Sequence, residues 1–257
     1  MIISVPWSLS YRESLHGRQG RGGEMFLKGE ILILCDFDGT VCTVDMGNEV
    51  LNRFTDKGWE EIDRAYCSGE IGSRSAYSQV TSLFSGTKAQ MLEFAENHGK
   101  LDPHFADFYA YCRGKGVDLK IVSDGLDIYI DAILRKYNLE EIEYFTNVAS
   151  FRDGQLFIEF PQVNEECNRC GTCKSGILKK HRPGYKHIVY VGDGHSDFCP
   201  SKDADLVFAK GILHKKCMEN GRVCEYYESF KDVHDYIAGY ISERLSATAR
   251  PEGVGRR

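Results

Sequence analysis

The sequence predicts an α/β fold, a doubly wound, Rossmann-like parallel sheet with an inserted helical cap, and three observations predict it. A short, wholly apolar run of strand length spans Ile31 to Cys35, and similar strands recur at Leu119 to Val122, His187 to Val191 and Leu206 to Ala209. Such runs suit strands buried on both faces, as in a parallel sheet. Helical stretches, including Leu126 to Tyr137, lie between them, and alternating strand and helix is the signature of the doubly wound class. Finally, Asp36, Ser123 and Asp193 follow three of these runs, at the carboxyl ends where open α/β sheets bind ligands.

Taken in order, residues 1–25 form a leader expected to be disordered. It is rich in Arg, Ser and Gly and has no uninterrupted apolar stretch. Met25, just ahead of the first strand, suggests an upstream extension, and a transit peptide is the competing reading. The core is expected over 26–45 and 100–245. Between them, 46–99 loses the strand pattern and acquires helical periodicity, as in Val50-Leu51-Phe54, Trp59-Ile62-Tyr66 and Met91-Leu92-Ala95, which predicts the helical cap. His104 to Arg113 reads as the helix returning to the core, stopped by Gly114 and Gly116. After Ser150 a hairpin is expected, with its turn in Phe151 to Gln155 and its second strand over Leu156 to Phe160. An amphipathic helix from Phe230 to Leu245 completes the core, and 246–257 reads as a disordered tail.

Bulk properties exclude some classes of function. A chain of 257 residues, 42% hydrophobic, buries a substantial core. The net charge of -6 provides no broad basic field, so no nucleic-acid partner is expected. No apolar run approaches the ~20 residues that span a bilayer, so no membrane partner is expected either. Ten cysteines sit mostly singly inside apparent helices or strands, which points to reduced thiols and a cytoplasmic location. Oligomeric state is not legible.

The chemistry is carried by short clusters. Asp36-Phe37-Asp38-Gly39-Thr40 puts two carboxylates two residues apart behind a buried strand. One can attack phosphorus while the other protonates a leaving oxygen and then activates water. Taken alone, paired aspartates more often cap a helix or flank a turn. Gly192-Asp193-Gly194-His195-Ser196-Asp197 closes another strand with acidic groups, and hard oxygen ligands suit Mg2+. Ser123-Asp124-Gly125 brings a hydroxyl and backbone amides to a helix start, a favourable place for phosphate. Lys174, in a polar loop after Gly171, supplies a fixed positive charge, with Lys179, Lys180 and Lys186 as neighbouring alternatives. Asp45 is either a substrate contact or a helix N-cap. Cys167, Cys170 and Cys173 have spacing that suits zinc if His181 or Cys199 approaches. A reduced loop and a redox sensor are the other readings.

In this order, Asp-x-Asp-Gly-Thr, a strand-terminal Ser, a Lys and Gly-Asp-Gly-x-Ser-Asp resemble the four motifs of haloacid dehalogenase superfamily phosphatases, over Ile33 to Asp197. The helical insertion between the first two is similar to the C1-type cap of the phosphoserine-phosphatase-like branch, subfamily IB. The resemblance implies a Mg2+-dependent phosphoric monoester hydrolase working through an aspartyl-phosphate on a small-molecule phosphomonoester. It makes Asp36 the nucleophile and Asp38 the general acid/base. Ser123, Asp124, Gly125 and Lys174 become phosphate contacts, and Asp36, Asp38 and Asp193 metal ligands, with Asp38 acting through its carbonyl. Thr40 and Asp197 become supporting residues. Cys167 to Lys174 is similar to the cysteine-flanked lysine of phosphatases acting on 2-hydroxy-3-keto-5-methylthiopentenyl-1-phosphate in methionine salvage. The run ending at Pro200 is similar to phosphocholine, phosphoethanolamine and pyridoxal-phosphate phosphatases, and phosphoserine phosphatase is the rival within the fold. A catalytically silent binding module is the rival class.

Overall fold

The structure is a computed structural model and describes residues 27, 29–55 and 58–248, with side chains of the final helix as far as 242. The expected leader and the tail from 249 onward lie outside these residues. Seven strands form one sheet in the order β4-β3-β2-β1-β5-β6-β7. They are β1 (Ile31–Cys35), β2 (Asp118–Leu126), β3 (Tyr144–Arg152), β4 (Gln155–Glu159), β5 (His187–Gly192), β6 (Leu206–Ala209) and β7 (Glu225–Tyr226). All neighbours pair parallel except β3 and β4.

The central strand shows why an unbroken apolar run was needed. Ile31, Ile33 and Cys35 of β1 join one core, and Leu32 and Leu34 join another on the opposite face. Side chains alternate across a strand, so covering both faces with helices demands apolar residues at every position. The first face is covered by α5 (Phe105–Lys115), α6 (Asp127–Lys136) and α10 (Phe230–Thr248). The second is covered by α7 (Lys174–His181) and α9 (Gly211–Glu219), through Ile177, Leu178, Leu213 and Cys217. A short α8 (Phe198–Ser201) lies between them in sequence. No helix among the described residues is long and apolar enough to cross a membrane.

Four further helices, α1 (Met46–Phe54), α2 (Trp59–Cys67), α3 (Ser73–Val80) and α4 (Lys88–His98), fill the stretch expected to be helical. Each start has a local cause where a cap is present. Asp45 Oδ1 accepts from the Asn48 amide at the head of α1, and Thr87 with Gln90 forms a capping box for α4.

Several boundaries differ from expectation. Gly114 lies inside α5, and Gly116 alone ends it, at φ 71° in the left-handed region that glycine adopts freely. β2 continues past Val122 to Leu126 with a register irregularity, so Ser123 to Gly125 belong to its distorted end. The hairpin turns at Asp153-Gly154, both with positive φ, but its first strand begins at Tyr144 and lies parallel to β2. α10 runs to Thr248, past the expected Leu245. The sequence reading did not identify α7, α9 or β7. α7 and α9 have mixed, Lys-rich sequences whose apolar contacts are too few to show a stripe.

Candidate active site

The carboxyl ends of β1, β2 and β5 and the head of α7 converge. The Asp36 amide donates to the Val191 carbonyl at 2.9 Å, continuing the β1–β5 ladder by one residue and setting the carboxylate at the sheet edge. Asp36 is 5% exposed and Lys174 3%. Lys174 Nζ lies 2.7 Å from both Asp36 Oδ1 and Asp197 Oδ1. Lys174 is therefore no loop residue, as the sequence suggested, but the first residue of α7, capped by Cys173 Sγ accepting from the Gly176 amide. A cation at a helix N-terminus opposes the macrodipole. The two carboxylates offset that cost.

Asp197 is held from every side. Its Oδ1 accepts from Lys174 and from the Tyr190 hydroxyl at 2.6 Å, and its Oδ2 accepts from the amides of Asp193 and Gly194 at 3.0 and 2.9 Å. Burial pushes its pKa upward, but Lys174 first, then Tyr190 and the Gly194 amide, hold it below the ordinary carboxylate range. Asp36 shifts the other way: burial, then Asp197 and Asp193, raise it well above that range despite Lys174. Burial and Asp197 push Asp193 up to about 6. Lys174 stays protonated, its pKa raised by Asp197 and Asp36 against the pull of burial.

Oxygens of Asp36, Asp193 and Asp197 lie within 4.8 Å of one another, the one group of three metal-type side chains so gathered among the described residues. Three carboxylates against one ammonium leave the cluster short of positive charge, as the raised Asp36 and Asp193 register. A donor set of buried oxygens with unmet charge fits a hard divalent cation. Thr40, fully buried, directs Asp193 by donating to its Oδ1 at 2.7 Å. Gly39, at φ 72°, makes room for Asp193: a Cβ there would sit 2.4 Å from Oδ2. The cysteine run does not gather into such a group. Cys167 is exposed, and Cys173 is engaged as the α7 cap.

Asp38 stands two residues along from Asp36. Its Oδ1 accepts from the Met46 amide at 3.0 Å and its Oδ2 from the Tyr129 hydroxyl at 2.7 Å. Removal from water, then Asp45, push it up to about 7. Ser123 is 1% exposed, and its Oγ accepts from the Gly125 amide at 2.9 Å, which leaves the hydroxyl hydrogen to donate elsewhere. That amide is thereby engaged inside the protein. Asp124 faces the same cavity. Its Oδ1 accepts from the Thr172 and Asn147 nitrogens, and its Oδ2 is buried. Asp45 lies at the cavity wall and also serves as the α1 cap.

The cavity, about 270 Å³, runs from Asp36, Asp38, Ser123 and Asp193 to the helices α1–α3, where Trp59, Ile62, Tyr66 and Tyr77 line it. The loop before α7 is stitched to those helices. The Arg169 guanidinium donates to the carbonyls of Gly69 and Ile71, and its own carbonyl accepts from the Arg74 amide. The sequence reading missed Arg169, Tyr129 and Tyr190. Nothing in sequence separates a buried tyrosine from its apolar neighbours, although Tyr129 lies four residues after Gly125. Removing the Arg169 stitch by Arg169→Ala is expected to cost about 1 kcal/mol, since its bonds are charge-assisted but exposed. Thermal unfolding measures that, and steady-state kinetics should show KM raised several-fold with kcat less affected.

The comparisons with known proteins fit this arrangement. A model of the Putative Phosphatase family matches residues 31–222. The chain belongs to that family. Curated relatives include 2-hydroxy-3-keto-5-methylthiopentenyl-1-phosphate phosphatases of Brevibacillus brevis and Exiguobacterium sibiricum. The first is 28% identical, over 79% of this chain and 93% of that protein, and the second 30%, over 80% and 96%. Among solved structures, a phospho-aspartyl intermediate analogue of phosphoserine phosphatase aligns with TM-score 0.62 at 24% identity, covering 80% of this chain and 98% of that one. A phosphoserine phosphatase of T. onnurineus aligns with TM-score 0.62 at 20% identity, covering 84% and 98%. As a Putative Phosphatase member with a haloacid dehalogenase fold, the chain is a phosphoric monoester hydrolase.

Proposed function

We propose that the protein hydrolyses a small phosphomonoester through a phosphorylated Asp36, with α1–α4 acting as a cap over 46–99 and Mg2+ as the resident ion. The observation that carries this reading is the convergence of Asp36, Ser123 and the Asp193 carboxylate at one cavity end, with Lys174 paired to Asp36 behind it. The Asp36 and Asp193 carboxylates and the Asp38 carbonyl would hold Mg2+, which supplies charge neutralisation at a phosphate oxygen. Lys174 and the Ser123 hydroxyl bind the phosphate. Asp36 Oδ1 is engaged with Lys174 and the Phe37 amide, so Oδ2 is the oxygen that bonds to phosphorus. As that bond forms, the bond from phosphorus to the leaving oxygen breaks, and Asp38 delivers its proton there. Water then gives a proton to Asp38, bonds to phosphorus and releases phosphate, freeing Asp36.

The apolar wall of Trp59, Ile62 and Tyr77 supports an uncharged leaving group such as that of 2-hydroxy-3-keto-5-methylthiopentenyl-1-phosphate, the substrate named for the relatives. A second reading, an amine-bearing phosphomonoester such as phosphocholine or phosphoethanolamine, rests on a separate observation. Asp45, Asp63 and Asp124 line the cavity beside Tyr66 and Tyr77, and no lysine or arginine does among the described residues. A substrate carboxylate, as in phosphoserine, finds no counter-ion at that end.

A panel of phosphomonoesters ranked by kcat/KM tests the reading. The methylthiopentenyl ester is expected first, preference for phosphocholine would favour the second reading, and preference for phosphoserine would overturn both. EDTA is expected to abolish turnover and Mg2+ to restore it. Added Mg2+ should also raise the thermal unfolding midpoint, because an ion bound by the folded carboxylates stabilises by mass action. Full activity in EDTA would rule the ion out.

A further inference from the structure

Both carboxylate oxygens of Asp38 are held by fixed partners, and one of those partners comes from a residue to which no role has been assigned. Tyr129, in the first turn of α6, is completely buried, and its hydroxyl donates to Asp38 Oδ2 at 2.7 Å. The slot around that hydroxyl is built by three separate segments. The loop after β1 brings Asp38, the head of α1 brings Gly47, and the end of β2 brings Gly125. A Cβ on Gly125 would lie 1.9 Å from the Tyr129 hydroxyl and 2.7 Å from Asp38 Oδ2, and one on Gly47 3.6 Å from the hydroxyl. Glycine at 125 is thus what lets the tyrosine reach the carboxylate.

The two partners of Asp38 differ in kind. The Met46 amide at Oδ1 can only donate. The Tyr129 hydroxyl donates to one lone pair of Oδ2 and leaves the other for a proton, so the bond persists whether that oxygen is bare or protonated and the acid proton stays free for the leaving oxygen. A carboxyl group that must serve first as acid and then as base needs a partner that stays bonded in both states, or its side chain rotates between the two half-reactions.

We propose that Tyr129 is a positioning residue for the acid–base group of this phosphatase, holding Asp38 in one rotamer aimed at the leaving oxygen through both halves of the reaction. The proposal rests on Asp38 being the acid. Its signature is dependence on the leaving group: an alkyl oxygen needs the proton that Asp38 delivers, whereas p-nitrophenolate leaves without one. A loss of packing alone would depress both substrates equally.

The experiment compares kcat/KM, which covers only the steps through phosphorylation of the enzyme, for glycerol phosphate and p-nitrophenyl phosphate in wild type, Tyr129→Phe and Asp38→Asn. The readout is the ratio between substrates, which a lowered fraction of folded enzyme leaves unchanged. For Asp38→Asn the alkyl-to-aryl ratio is expected to fall by about 10²-fold or more, the usual size of general acid catalysis, and for Tyr129→Phe by about tenfold. Glycerol phosphate KM should stay within about twofold of wild type for Tyr129→Phe, since a positioning group for proton transfer acts mainly on kcat. A falling ratio in both variants supports the proposal. An unchanged ratio for Tyr129→Phe beside a collapsed ratio for Asp38→Asn would overturn the role of Tyr129 alone. Unchanged ratios in both would overturn it by removing Asp38 as the acid.

Discussion

Asp36→Asn is expected to abolish phosphatase activity, lowering kcat by at least about 10³-fold, because in the proposed mechanism it removes the group that forms the covalent bond rather than one that assists it. The fold should survive. Asp36 is crowded by Asp197 and Asp193, and its raised pKa means that its charged form costs stability in the metal-free protein. The amide keeps the volume and removes that charge. In metal-free buffer the unfolding midpoint is therefore expected to be unchanged or higher, and the increase on adding Mg2+ smaller than in wild type. Active sites often hold such a trade of stability for activity. Residual turnover above about one part in a hundred, with the variant folded, would move the nucleophile elsewhere.

Lys174→Met is expected to fail on both counts. The ammonium is buried between Asp36 and Asp197, 2.7 Å from each. Removing one partner of a buried ion pair leaves uncompensated charge and costs about 3–5 kcal/mol. For a domain of this size that lowers the thermal midpoint by roughly 10 °C or more, measurable by circular dichroism. Activity is expected to fall by about 10²–10³-fold, the range for losing a preorganised electrostatic group. Combining it with Asp36→Asn should recover part of the stability, because one of the stranded carboxylates goes too. A double mutant no more stable than Lys174→Met would show that the pair is not coupled as the geometry requires.

How much of this was legible in the sequence depended on the range over which each signal acts. The strands β1, β5 and β6 were readable because burial on both faces forces an unbroken apolar run, a local property. β3 was not: its exposed and half-buried positions dilute the run, and its start at Tyr144 is set by pairing with a distorted β2. Asp36, Asp38 and Asp193 could be picked out from short clusters at strand ends. The setting of Lys174 could not, since a lysine after Cys-Gly-Thr-Cys looks like a surface residue until α7 presses it between two carboxylates. The role of Asp197 as the anchor of that lysine, saturated by four donors, is equally a product of folding.

By itself the sequence determined the α/β class, the helical stretch over 46–99, the phosphatase class and the acidic residues that gather at the cavity. All of these follow from periodicity and from motifs only a few residues long. The tertiary structure decided that Lys174 is buried between Asp36 and Asp197, that Tyr129 reaches Asp38 from 91 positions away, and that Arg169 ties the α7 loop to the helices over the cavity. The physical reason is that hydrogen bonds and ion pairs act over about 3 Å in space, whereas a pattern in sequence reports only which face of its own element a side chain occupies.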